Sequence, residues 1–163
     1  MIKGIVYTLL ILIFVAFQAT VGNLMEFFLA VPQFVLMLCL TISILNNKTT
    51  SMIVGIAAGL VLDIAIGQGI GLNALLFMYL CLLTSWLTNA YYNINRKTVM
   101  ISCVLGNLIY SFLYYILAIA LWGRGDWGVA IMKIIIPEII WTAILCIPIY
   151  IIIKGIDGLL ERR

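Results

Sequence analysis

The sequence predicts an all-α integral membrane protein, a single domain over residues 1–163 folded as a bundle of six transmembrane helices. Three observations predict it. Of the 163 residues, 66% are hydrophobic and only 9% are charged, and the mean hydropathy is +1.25, a composition foreign to water-soluble domains of this size. The apolar residues fall into runs of helical length separated by short polar or glycine-rich breaks. Lys and Arg gather in alternate breaks, as loops on the two faces of a membrane require. Six spans of roughly 20 residues leave about 40 for connections, which is too few for a soluble domain.

The first run covers 4–20 and follows Met1-Ile2-Lys3. It resembles a signal peptide, but its apolar stretch is long and a small-residue cleavage pair is poorly formed, so it is read as an uncleaved span. The second run, 27–45, carries Pro32 near its start. The third, 52–66, has 15 residues and rises only about 22 Å as a helix, short of a hydrocarbon core of about 30 Å. The fourth is 72–88. The fifth, 98–122, has 25 residues and needs tilt. The sixth, 129–153, is interrupted by Pro137 and Pro148, each of which frees a carbonyl or bends the span.

The breaks at 21–26, 46–51, 67–71, 89–97 and 123–128 are short, so neighbouring spans pack as antiparallel hairpins. Lys3, Lys48, Arg96, Lys97, Lys154, Arg162 and Arg163 fall on one side and Arg124 alone on the other, which places both termini in the cytoplasm. Tyr91 and Tyr92 at the inner edge, and Trp122 and Trp127 at the outer edge, sit where aromatic belts form. The tail from Lys154 to Arg163 reads as a short amphipathic end anchored at the anionic inner leaflet.

Chemistry is scarce. The chain has no histidine, which removes histidine-ligated metals and Ser/His or Cys/His nucleophile pairs. Cys39, Cys81, Cys103 and Cys146 lie inside apolar runs without CxxC spacing and read as small buried hydrophobes. The net charge of +3 is scattered rather than clustered, unlike a nucleic-acid surface. No nucleophile stands beside a base, no phosphate loop appears, and no cofactor is implied.

The informative segment is 51–74, where Ser51, Gly55, Gly59, Asp63, Gly67 and Gly71 recur every four residues. Small residues at that spacing form a groove that admits a second helix backbone, either within the chain, on another membrane protein or on a second copy in a homodimer. Asp63 lies on the same face, roughly 18 Å into the membrane. A lone carboxyl there costs on the order of 2.5–3.5 kcal/mol and calls for a partner. By depth the partners are Lys133, then Asn73, then Gln18; alternatively Asp63 caps or pins the turn 67–71. Glu138 lies at similar depth and is expected either to join Asp63 and Lys133 in an ion or proton site or to form a structural salt bridge. Asn107, at mid-membrane, reads as an interhelical hydrogen bond.

These residues carry a resemblance to the rod shape-determining protein MreD family. It rests on Pro32-Gln-Phe-Val-Leu at the second span, on the segment from Gly55 through Gly59, Leu60, Asp63, Gly67, Gly71, Leu72 and Asn73 to Ala74, on Pro148-Ile-Tyr150, and on total length. The resemblance implies a non-enzymatic part of the cell-elongation machinery in the bacterial cytoplasmic membrane. Such a protein binds the bitopic protein MreC and through it links MreB filaments to the glycosyltransferase and transpeptidase of lateral peptidoglycan synthesis. On that account Gly55, Gly59 and Asp63 shape either the core or the groove that faces MreC. It also implies a fold like that of the substrate-binding subunits of energy-coupling-factor vitamin transporters. A transporter subunit is therefore the alternative, although 21–31 offers only Asn23 and Glu26, and spans four and five are dominated by Leu, Ile and Tyr, a poor lining for a vitamin pocket.

Overall fold

The structure, a computed structural model, describes residues 2–24, 33–66, 71–90, 96–122 and 136–161. Pro32, Gly67 and Lys133 lie outside them. The described residues form six helices: α1 (Ile2–Leu24), α2 (Phe34–Leu45), α3 (Lys48–Ile66), α4 (Leu72–Ala90), α5 (Arg96–Trp122) and α6 (Ile136–Glu161). Within them Lys3–Thr20, Lys48–Ile66 and Thr98–Leu117 are long and apolar enough to cross a membrane, and Phe34–Leu45, Leu72–Thr88 and Ile140–Ile156 are shorter apolar helices.

The bundle is organised around α2. This helix is apolar on every side, the pattern of a helix enclosed by others rather than one with a solvated face. Every residue from Phe34 to Ile44 is buried, and α1, α3, α4, α5 and α6 all pack against it. Its one internal threonine folds back on the helix, Thr41 Oγ1 donating to the Met37 carbonyl at 2.7 Å. On α5, Gly106 makes room for α2: a Cβ there would sit 2.5 Å from Leu40 Cδ1.

The five surrounding helices each keep a buried stripe and turn large aliphatic and aromatic side chains outward, among them Ile5, Ile64, Tyr79, Phe112 and Ile144. In water such a surface would aggregate; in hydrocarbon it costs nothing. The cysteines at 39, 81, 103 and 146 are all free and buried.

The helix bounds differ from the apolar runs. The third contains 19 residues rather than 15 and rises about 28 Å, because its polar first turn is helical: Ser51 Oγ donates to the Asn47 carbonyl at 3.0 Å, using the hydroxyl locally where an apolar pattern gives no signal. The shortest described helix is instead α2, at 12 residues, or about 18 Å. In α6 the interior proline is Pro148, Pro137 lying at the described start of the helix. The helix also runs through Lys154, whose Nζ stands 5.6 Å over the ring of Tyr150.

Candidate functional site

The most extensive helix pairing in the bundle is that of α3 with α4, and glycines explain it. A Cβ on Gly55 would lie 2.8 Å from the Phe77 carbonyl oxygen, and one on Gly59 only 2.3 Å from Ala74 Cα. The two backbones touch directly, the arrangement that small residues four apart permit. The groove predicted from the glycine stripe is thus filled from within the chain. Of the three alternatives left open by the sequence, Gly55 and Gly59 serve packing within the chain.

Asp63 stands where α3 hands over to α4. It is 2% exposed and is the one charged side chain buried among the described residues. Its Oδ2 accepts from the backbone N–H of Gly71 at 2.8 Å and of Ala74 at 3.4 Å, and its Oδ1 accepts from the N–H of Asn73 at 3.3 Å. These are donors that the first turn of a helix leaves without intrahelical partners, so Asp63 acts as an N-cap supplied by the preceding helix. The partial positive charge of that helix end adds to the fit. Gly71, at φ +106°, holds a conformation that only glycine adopts without strain, and its carbonyl accepts from Leu75 N–H at 3.0 Å.

The network continues sideways. Asn73 Oδ1 accepts from the Tyr110 hydroxyl at 2.7 Å, tying α4 to α5. The Tyr110 ring meets Phe77 edge-on at 5.5 Å and stacks on Tyr114 at 5.6 Å. One turn away Asn107 Nδ2 donates to Thr142 Oγ1 of α6 at 3.0 Å, the interhelical bond expected of it. Tyr110 was absent from the sequence reading, yet it had a signal: Asn107, Tyr110, Ser111 and Tyr114 form a polar stripe at helical spacing.

Gln18, considered from sequence as a distant partner for Asp63, serves another helix. Its Oε1 accepts from the Val35 N–H at 3.0 Å, and its Nε2 donates to Gln33 Oε1 at 2.8 Å. It caps α2 as Asp63 caps α4. Of the expected cluster of Asp63, Lys133 and Glu138, Lys133 and the side chain of Glu138 lie outside the described residues.

The model of one family, described as rod shape-determining protein MreD, matches residues 1–156. The chain belongs to the MreD family. Comparison with curated proteins and with solved structures gave no match. MreD proteins are shape-determining components rather than a known enzyme family, and the three long apolar helices agree with a membrane protein. In this MreD chain the most distinctive segment, Gly55 to Ala74, builds an internal joint: glycines bring two helices together and an aspartate closes their turn.

Proposed function

We propose that this MreD-family chain is a non-enzymatic scaffold of the rod-shape complex, embedded in the bacterial cytoplasmic membrane as six spans with both termini inside. It binds the bitopic protein MreC and helps couple MreB filaments to lateral peptidoglycan synthesis. The family match over residues 1–156 carries the reading. Two features of the molecule support it. The helices show outward apolar faces that suit lipid and other helices, and the buried polar groups around Asp63 are engaged with backbone and neighbouring side chains as structural joints. Partners must then be met on the outer faces of α1 and α3 to α6 or at the helix ends, because α2 and the glycine stripe are enclosed.

Depletion of the protein from the rod-shaped bacterium that carries it tests this role. Cells are expected to widen and round while new peptidoglycan loses its lateral pattern, as read by microscopy with a fluorescent wall precursor. Growth as rods of normal width after complete depletion would overturn the assignment.

A further inference from the structure

The outer face of α4 carries a polar group that the bundle leaves unused. Tyr79 is 63% exposed, and its hydroxyl has no hydrogen-bond partner among the described residues. We propose that this face is a homodimer interface: a second copy of the chain packs its own α4 here, across a two-fold axis along the membrane normal, and the two Tyr79 hydroxyls bond each other. This inference rests on the proposed embedding, with all copies inserted the same way round, but not on the identity of any other protein partner.

Depth makes this hydroxyl costly. Tyr79 lies seven residues into α4 and eleven before its end, about 10 Å and 16 Å along the axis, so a ring laid along the helix reaches neither end. A hydroxyl held without a partner in hydrocarbon is strongly unfavourable. The exposed hydroxyls of α1 avoid this by bonding to their own helix: Thr8 Oγ1 donates to the Gly4 carbonyl at 2.9 Å and Thr20 Oγ1 to the Ala16 carbonyl at 2.8 Å. A phenol, with its hydroxyl at the far end of a rigid ring, cannot fold back in that way. Around Tyr79 the face has the pattern of a helix seam, since Leu75, Tyr79, Leu82 and Trp86 follow one another at spacings of four, three and four. Leu75, Tyr79 and Trp86 are each more than half exposed, whereas the other side of α4 is occupied, burying Phe77, Cys81 and Ser85 in the bundle. No charge lies on the seam to repel its own image. A two-fold axis along the normal brings each seam residue to its counterpart at the same depth, and a phenol hydroxyl both donates and accepts. Leucine then meets leucine, ring meets ring, and the two Tyr79 hydroxyls satisfy one another, whereas any other partner must bring its own polar group to that depth.

Cysteine cross-linking in native membranes tests the interface with the full chain at its native level. Resistance of the chain to carbonate extraction is checked first, so that a failure of embedding is told apart from a failure to dimerise. Leu75→Cys places an exposed thiol on the seam and leaves Tyr79 intact, while the native cysteines are all buried. Ile140→Cys, 56% exposed near the start of α6, is the control for chance collision. Membranes are oxidised with copper phenanthroline, and the initial rate of covalent-dimer formation is read on non-reducing gels. Leu75→Cys is expected to give a species of twice the chain mass well above the control, and Trp86→Cys, at the far end of the seam, is read in parallel so that the result does not depend on one variant. Adding Tyr79→Phe to Leu75→Cys is expected to lower the rate about threefold, the effect of one interhelical hydrogen bond in a membrane. The melting temperature of the Tyr79→Phe monomer in detergent should stay at the wild-type value, because the hydroxyl holds nothing within the described bundle. Equal rates from the seam cysteines and Ile140→Cys, an undiminished rate with Tyr79→Phe, or cross-linking to a protein of another mass would overturn the proposal.

Discussion

At the scale of single residues, replacing Asp63 by Ala leaves the N–H groups of Gly71, Asn73 and Ala74 without their acceptor at the start of α4. A buried donor stripped of its partner costs about 1–3 kcal/mol. Asp63→Ala is therefore expected to lower the melting temperature in detergent clearly, and Asp63→Asn, which keeps one oxygen, to lower it less. Equal losses from the two would show that the carboxyl oxygens do not act as the cap. The need for a partner at Asp63 was legible in the sequence, because a carboxyl at that depth requires one. The cap on the turn ending at Gly71 was one of its two readings; the choice between that cap and a side-chain partner was not legible. Side-chain candidates such as Lys133 and Gln18 stand out in a sequence, whereas backbone N–H groups are present at every residue and become distinctive only where a helix begins.

At the scale of elements, the contrast between glycines is sharp. Gly59→Ala places a methyl group 2.3 Å from Ala74 Cα and must drive α3 from α4, whereas Gly155→Ala enters open space within a helix. Overpacking of this kind costs about 1–3 kcal/mol or more, while replacing a helical glycine by alanine without a clash gains about 0.5–1 kcal/mol. Thermal unfolding in detergent should show Gly59→Ala destabilised and Gly155→Ala unchanged or improved; comparable stability of the two would contradict the direct backbone contact. The four-residue stripe itself was evident from sequence. That it meets α4 was one of several open choices, because periodicity gives the face of a helix and not what faces it. The short α2 was harder to delimit for a related reason: a helix buried on all sides has no polar face, so within the apolar run of 27–45 only Pro32 and Gln33 mark where Phe34–Leu45 starts. Capping exposes the logic afterwards. Gln18 closes the start of α2 and Asp63 the start of α4, so each hairpin is pinned by a polar side chain near the end of its first helix.

At the scale of the whole molecule, five helices wrap a sixth and present apolar side chains outward. The membrane character followed from composition, because no other solvent tolerates 66% hydrophobic residues in a chain of 163, and the all-helical class from apolar runs of helical length. The partner-binding surface was not legible: Gly55 and Gly59 are spent inside, and the outer faces carry aliphatic and aromatic side chains throughout, as lipid demands. Recognition of partners is therefore assigned to those outer faces and the helix ends. The most direct test of the scaffold role is affinity purification of the tagged protein from its native membrane in mild detergent, followed by mass spectrometry. Co-recovery of bitopic MreC with the elongation glycosyltransferase and transpeptidase is the predicted result; recovery of paired ATPases with a coupling transmembrane subunit, and no MreC, would contradict it.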